Sequence, residues 1–128
     1  MKKKEINGLG ELENKVMETV WELGKASVRD VLNNIKSQKQ LAYTTIMTVM
    51  SRLYDKNILK REFKNDAYIY APVQDQKTFS ASVSKKIINN LISKFGEDVA
   101  VAGFIDVMEV NNNKKSVELR KKLKTIIK

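Results

Sequence analysis

Residues 41–57 combine an apolar helix stripe with an outer face of short hydrogen-bonding side chains. At 3.6 residues per turn, the apolar positions that share one face are Ile46, Val49, Met50 and Leu53. The positions that point away from this stripe are Thr44, Thr48 and Ser51, flanked by Met47 and Arg52. Short hydroxyl side chains let a helix approach base edges closely, so the pattern suits a helix that enters the major groove of DNA. A threonine-rich core helix explains the same residues equally well.

Two helices are predicted before this stretch, which itself predicts a third helix over residues 42–56. The first spans residues 9–24, with apolar residues at helical spacing and a glycine as its C-terminal stop. The second spans residues 27–36, where Ser27 and Asp30 have the spacing of a capping box.

Residues 58–63 and 67–71 are rich in β-forming side chains and are separated by a segment with turn chemistry. With Asn65 and Asp66 at the centre of the turn, the facing pairs are Phe63 with Tyr68 and Arg61 with Tyr70. Three helices followed by a two-stranded hairpin is the element order of a winged helix-turn-helix, in which the third helix enters the groove and the hairpin contacts the flanking backbone. We therefore assign residues 1–73 to a winged-helix DNA-binding domain.

Three further amphipathic helices are predicted after Pro72, over residues 78–95, 97–109 and 115–127. A lobe this small buries too little surface to be very stable alone, so we expect its apolar faces to pack against a second chain. Packing of the same faces on the winged-helix core of one chain stays open. The residues expected to form the dimer contact are Ile87, Leu91, Phe95, Phe104, Ile105, Leu119 and Leu123. The predicted fold class is mainly α with a small β-hairpin: a winged helix-turn-helix domain followed by a three-helix C-terminal dimerisation lobe over residues 74–128.

Cysteine and histidine are both absent from the sequence. Disulfides, thiol nucleophiles, the usual zinc sites and histidine-based acid–base chemistry are therefore excluded. The short motifs of serine hydrolases, P-loop proteins and dinucleotide-binding proteins do not occur either. We expect a protein that is not an enzyme and that uses no metal and no cofactor. Because no apolar run is long enough for a membrane span or a signal peptide, we also expect a cytoplasmic protein without membrane insertion.

Basic residues outnumber acidic ones by 24 to 15, and the net charge of +9 favours a polyanionic partner such as nucleic acid. Residues 1–35 are neutral overall, whereas residues 36–64 hold seven basic residues against two acidic ones. The charge surplus therefore surrounds the third helix and the hairpin, where it would supply salt-dependent affinity for DNA of any sequence. A second surplus after Pro72 is interpreted mainly as a solvated helix face.

Several short motifs follow one another in an order typical of one family. They are Val16-Met17 with Val20-Trp21, Ser27-Val-Arg-Asp-Val31, Ala42-Tyr-Thr-Thr45, Thr48-Val-Met-Ser-Arg-Leu53 and Ala67-Tyr-Ile-Tyr70. Together they resemble the penicillinase-repressor family, the BlaI/MecI/CopY group, over nearly the whole winged-helix lobe. The resemblance implies a homodimeric repressor with two winged heads on a palindromic double-stranded operator, joined by intertwined C-terminal helices. Its implied targets are genes for β-lactamases or other responses to cell-wall antibiotics.

The resemblance also implies roles for individual residues. Thr44, Thr45 and Met47 match base-facing positions of the recognition helix, and Arg52 matches a position that faces phosphate. Thr48 joins the base-facing set because its hydroxyl can donate or accept, whereas Met47 offers only apolar contact, for example with a thymine methyl group. A half-buried contact of the Met47 side chain within the helix stays open as the alternative to a base contact. The other candidates for contact with the DNA backbone are Tyr43, Lys56 and Lys64, of which Tyr43 could instead pack beneath the helix.

Two features of the C-terminal lobe bear on regulation. Antibiotic-responsive members of the family are inactivated when a membrane-spanning sensor protease cuts an Asn–Phe bond; here Phe104 is retained, but Gly103 stands in place of asparagine. Cleavage between Gly103 and Phe104 and a role of Phe104 in the dimer core are both compatible with the sequence. The cysteine-rich metal motif of the copper-responsive members cannot exist in a chain without cysteine.

Three other functions stay open on the sequence alone. A winged-helix regulator could answer a small molecule held between the helical lobes, and winged helices also serve as protein-interaction modules. Binding to RNA fits the charge, but the chain lacks an exposed stacking motif. A steep loss of duplex affinity with salt would separate DNA binding from these alternatives.

Overall fold

The computed structural model describes residues 7–111, 117–119 and 121–122. The chain divides into two compact units, Met1–Ala81 and Ser82–Lys128. The elements of the first unit, in chain order, are α1 (Glu11–Leu23), α2 (Val28–Asn34), α3 (Tyr43–Asp55), β1 (Leu59–Lys64), β2 (Ala67–Pro72) and the beginning of α4 (Gln76–Phe95). This is the element order of a winged helix-turn-helix, so the predicted mainly α fold with a small β-hairpin is confirmed.

Local hydrogen bonding explains where α1 ends and where α2 begins and ends. Gly24 follows α1 with a φ of 80°, in the region that favours glycine. The N–H of Ser27 donates to the Asp30 carboxylate at 3.0 Å, and the N–H of Asp30 donates to the Ser27 hydroxyl at 3.1 Å. This is the predicted capping box. Helix α2 ends at Asn34, slightly before the predicted end, because Ile35 takes an extended backbone conformation.

One hydrophobic core joins the three helices to the hairpin. Its members from α3 are Ile46, Val49, Met50 and Leu53, which confirms the predicted apolar stripe. The other core side chains are Leu9, Val16, Met17, Val20, Ala26, Val28, Val31, Leu59 and Tyr70. Because this core takes up the whole stripe, α3 presents the opposite, hydroxyl-bearing face to solvent.

Strands β1 and β2 pair antiparallel in the predicted register, with Phe63 opposite Tyr68 and Arg61 opposite Tyr70. Asn65 and Asp66 have positive φ angles of 53° and 63°, which a type I′ turn requires at both central positions. Backbone hydrogen bonds of 2.8 Å run in both directions between Ala26 and Tyr70 and attach β2 to the turn between α1 and α2. The hairpin is therefore anchored at its base, while residues 62–68 near its tip are exposed.

The beginning of α4 belongs to the first unit, which therefore extends beyond the predicted domain boundary at residue 73. The indole N–H of Trp21 donates to the carbonyl of Gln74 at 2.9 Å. The rings of Trp21 and Phe79 lie 5.4 Å apart. These contacts attach the first turn of α4 to α1, so the polar segment after Pro72 is held on the winged-helix unit.

The second unit contains the rest of α4 and α5 (Glu97–Asn111), which are separated by Gly96 with a φ of 88°. Helix α4 begins slightly before the predicted start, and α5 ends slightly after the predicted end. Residues 117–119 and 121–122 are helical, and the remainder of the third predicted helix, including Leu123, lies outside the described residues. Every helix in the described part of the chain is too short or too polar to cross a membrane.

Candidate nucleic-acid interface

The outward face of α3 carries the four residues predicted to contact bases: Thr44, Thr45, Met47 and Thr48 are all exposed. Met47 is 42% exposed, whereas Met50, on the core side of the same helix, is 0% exposed. The helix therefore offers solvent a strip of short hydroxyls and one methionine, with one long charged side chain, Arg52, beside it. Such a strip is narrow enough to approach base edges.

The hydroxyl of Thr48 donates to the backbone carbonyl of Thr44 at 2.9 Å. Its donor is therefore used within the helix, while lone pairs of its oxygen can still accept. In the major groove, acceptors of this kind match the exocyclic amino groups of adenine and cytosine. The structure thus suits Thr48 to accepting, whereas the sequence left both donation and acceptance open.

A shallow groove lies between the beginning of α1 and the outward face of α3. Thr44, Thr45, Thr48 and Arg52 line it from α3, and Glu11 and Glu13 line it from α1. Arg52, the predicted phosphate contact, is exposed and shares this groove with the threonine hydroxyls. The two carboxylates would repel a phosphate that approached this side of the helix unless their charge were compensated.

Lys56 compensates one of those carboxylates. Its ammonium nitrogen lies 2.8 and 3.1 Å from the two carboxylate oxygens of Glu13. The Glu13 side chain is only 13% exposed, and the pair ties the end of α3 to the first turn of α1. The sequence predicts that Lys56 contacts the DNA backbone, but here a phosphate would have to compete with Glu13 for its charge. No local pattern connects these residues, because they lie 43 positions apart.

The guanidinium of Arg29 stacks on the ring of Tyr43 where α2 and α3 come together, 4.9 Å from the ring centre. Both side chains are exposed, so the Tyr43 ring lies at the surface and is covered by a cation from the neighbouring helix. Arg29 adds a positive charge beside the beginning of α3. Arg29 is not among the site residues predicted from the sequence, since it belongs to another helix and has no periodic relation to Tyr43.

Arg61 lies at the centre of an aromatic cluster where the hairpin meets α3. Its guanidinium carbon is 3.9 Å from the ring centre of Tyr54 and 4.1 Å from that of Tyr68. The guanidinium also donates to the Tyr70 hydroxyl at 3.4 Å, and this hydrogen bond raises the pKa of Arg61. The ring of Phe63 packs edge-on against Tyr68 at 5.3 Å and extends the cluster towards the hairpin tip. The side chains of both predicted facing pairs, Phe63 with Tyr68 and Arg61 with Tyr70, are in contact, and Tyr54 joins this cluster from α3.

Lys64, the remaining candidate for backbone contact, is exposed beside the hairpin turn. The exposed candidates therefore lie on the outward face of α3, at its first residue Tyr43, and beside the hairpin turn at Lys64. Among the described residues, no cluster of acidic side chains is arranged to hold a metal ion. The surface can offer hydroxyls, apolar contact and positive charge, which are the groups that bind duplex DNA.

Apolar side chains of the second unit are exposed within the single chain. Of the predicted dimer residues that are described, Leu91, Phe95, Phe104 and Leu119 are exposed, and Ile87 and Ile105 are half-buried. Further exposed apolar residues outside that predicted set are Ile88, Val99, Val107 and Val110. Concentrations of exposed apolar side chains mark interaction surfaces. Gly103 and Phe104, the predicted cleavage position, lie inside α5 and are both exposed.

A three-helix core, a two-stranded hairpin and a solvent-facing hydroxyl strip on the third helix together define the winged helix-turn-helix class of DNA-binding proteins. The family model for the penicillinase repressor matches residues 9–127, and the chain belongs to this family. Membership of a family of transcriptional repressors confirms the expectation that the protein is not an enzyme.

Curated relatives carry names of the same kind. The chain is 30% identical over 115 residues to the penicillinase repressor of Staphylococcus aureus, and the match covers 88% of each chain. It is 29% identical over 102 residues to the transcriptional regulator BlaI of Mycobacterium tuberculosis, covering 79% of this chain and 74% of that protein. It is 26% identical over 98 residues to the methicillin resistance regulatory protein MecI of Staphylococcus aureus, covering 77% of this chain and 79% of that protein. These relatives confirm the family that the motifs of the winged-helix lobe indicated.

Proposed function

We propose that this protein is a homodimeric transcriptional repressor that binds a palindromic operator in double-stranded DNA. Helix α3 enters the major groove with Thr44, Thr45, Met47 and Thr48 at base edges, and the hairpin contacts the flanking backbone. The observation that carries this proposal is that the core takes up the whole apolar stripe of α3 and leaves its hydroxyl strip in solvent. Membership of the penicillinase repressor family supports the same assignment.

Dimerisation is assigned to the second unit because its helices leave large apolar side chains exposed in the single chain, among them Leu91, Phe95 and Phe104. A second copy would remove these side chains from water. Dimerisation also serves specificity. One recognition helix with a few base contacts discriminates weakly, whereas two helices on half-sites separated by one or more helical turns of about 34 to 36 Å add their binding energies.

The proposed targets are genes for β-lactamases or other responses to cell-wall antibiotics, because relatives are named penicillinase repressor and methicillin resistance regulatory protein. Repression would end when the second unit is disrupted, with a membrane sensor protease as the proposed agent. Gly103 and Phe104 lie inside a helix of 15 residues, so a cut between them would divide α5 and weaken the apolar surface on which the dimer depends. The repressor itself would act in the cytoplasm, with its operator.

A salt titration tests the DNA-binding proposal. Fluorescence anisotropy of a labelled random-sequence duplex would be followed from about 50 to 200 mM salt, with single-stranded RNA of the same length as the control. About six phosphate contacts would make the affinity fall on the order of 1,000-fold over this range. A flat salt response, or no measurable duplex binding at low salt, would contradict the proposal and favour a protein-interaction module.

A further inference from the structure

Arg61 connects the hairpin to the recognition helix. Its guanidinium packs against Tyr54 in the last turn of α3 and against Tyr68 in β2, at 3.9 and 4.1 Å from the two ring centres. It also donates a hydrogen bond of 3.4 Å to the hydroxyl of Tyr70 in β2. One side chain therefore touches the recognition helix and the facing strand of the hairpin at the same time.

We propose that Arg61 is a positioning residue for DNA binding. It fixes the hairpin against the C-terminal turn of α3, so that the hairpin tip and the base-facing residues of α3 engage the same duplex together. This inference rests on the proposed function, because it assigns a task within that DNA-binding surface.

The hairpin needs such a contact because much of it extends beyond the core. Its buried side chains, Leu59 and Tyr70, each 1% exposed, hold its base, whereas Phe63 near the tip is 65% exposed. A two-stranded hairpin is only marginally stable by itself in water. Arg61 lies on the same face of β1 as Leu59 and two residues closer to the tip. It therefore extends the contact between the hairpin and the rest of the unit towards the tip.

The chemistry of the contact favours a guanidinium over an ammonium group. A guanidinium is planar, so it can stack on an aromatic face while its N–H groups donate within the plane. An ammonium is a compact and strongly hydrated point charge without this directionality. Arg61→Lys therefore keeps the charge near DNA but removes the stacking on Tyr54 and Tyr68, which separates positioning from direct phosphate contact.

Binding by the full-length chain tests this separation. The probe is a duplex selected by the wild-type protein from a random-sequence library. Arg61→Lys should weaken binding about tenfold. The matched control is Lys60→Arg, a charge-preserving exchange at the exposed neighbouring position of β1, which should leave the affinity close to that of the wild type.

A double-mutant cycle with Tyr54→Leu tests whether Arg61 acts through that ring. Each single variant should lose about tenfold in affinity, and the double variant should lose little more than either alone, because both remove one shared contact. Fully additive losses would overturn the inference. Thermal unfolding midpoints of the variants close to that of the wild type would show that the losses of affinity do not come from unfolding.

Two further measurements respond to the position of the hairpin and not to the overall stability of the protein. Hydroxyl-radical footprints of Arg61→Lys should lose the protection made by the hairpin at the flanks of the site and keep the central protection made by α3. Residual dipolar couplings of the free protein should show hairpin amides that no longer share the alignment of α1 to α3 in Arg61→Lys. A variant with wild-type affinity, intact flanking protection and an unchanged hairpin alignment would overturn the inference. If the wild-type chain bound no duplex, the proposed function would fail, and the dipolar couplings would still decide whether Arg61 positions the hairpin.

Discussion

Met47 and Met50 lie on the same helix and have the same side chain, but their environments are opposite. Met50 is 0% exposed in the core, whereas Met47 is 42% exposed on the outward face of α3. Truncating each of them to alanine therefore isolates the effect of position from that of residue type. The pair tests whether α3 is oriented as the DNA-binding surface requires.

The expected magnitudes follow from burial. Met50→Ala removes a fully buried side chain and leaves a cavity, so the free energy of unfolding should fall by about 2 to 5 kcal/mol. Met47→Ala removes an exposed side chain and introduces a better helix former, so the same quantity should change by less than about 0.5 kcal/mol. The two variants should therefore differ by at least about 1.5 kcal/mol, a large part of the stability of an ordinary domain.

Urea unfolding measures this difference, with the fluorescence of Trp21, the single tryptophan of the chain, as the signal. Protomer concentration must be held constant, because the apparent stability of the proposed dimer would depend on it. An unchanged slope of the unfolding free energy against urea concentration would show that both variants unfold from the same compact state. A loss of 2 kcal/mol or more for Met47→Ala would refute the outward orientation of this face.

Three other predictions concern charge, assembly and pH. Lys64→Gln should lower the slope of log Kd against log salt by about one unit, whereas the double variant Glu13→Gln with Lys56→Gln, which removes the ion pair without changing the net charge, should leave it nearly unchanged; equal changes would contradict these environments. The chain truncated after Ala81 should sediment as a monomer and bind duplex more weakly, and a persistent dimer would remove the second unit from dimerisation. The N–H of Thr78 donates to Asp75 at 2.7 Å and lowers the pKa of that carboxyl below its ordinary 3.8. The contribution of Asp75 to the stability of the start of α4 is therefore complete at pH values above the ordinary pKa. It is lost as the pH falls through the lower pKa of the folded state. An amide chemical shift of Thr78 that stays constant through this titration would contradict the cap.

Elements governed by neighbouring residues could be predicted from the sequence. The stripe of α3 followed from the helical period, because buried and exposed positions alternate with it. The register of the hairpin followed from placing Asn65 and Asp66 at the turn centre. A two-residue turn determines which residues of the two strands lie opposite each other. The capping box of α2 followed from the spacing of Ser27 and Asp30.

Contacts between residues distant in the chain could not be predicted in this way. The ion pair with Glu13 occupies the charge of Lys56, which the sequence predicts to contact DNA. This pair depends on how α1 and α3 pack against each other. The stacking of Arg61 on Tyr54 depends on the angle between hairpin and helix. The contact of Phe79 with Trp21, which belongs to the same compact unit, also joins residues that are far apart in sequence.

The arrangement of Glu13 and Lys56 also clarifies the electrostatics of the interface. The charge surplus of residues 36–64 is not uniformly available to DNA, because Lys56 neutralises a carboxylate beside the threonine strip. Positive charge at the start of α3 comes instead from Arg29, which covers the ring of Tyr43. Net charge therefore indicated the class of partner, while the contacts show which of these charges are already paired within the protein.

The central claim is that the hydroxyl strip of α3 reads base edges. Selection of binding sites from a random duplex library, at one fixed salt concentration, by the wild-type chain and by Thr44→Ala tests it most directly. The wild-type protein should enrich an inverted repeat, and Thr44→Ala should enrich the same repeat with relaxed preference at one symmetric pair of positions. Enrichment of no sequence by the wild-type chain, or identical preferences for both proteins, would contradict the claim.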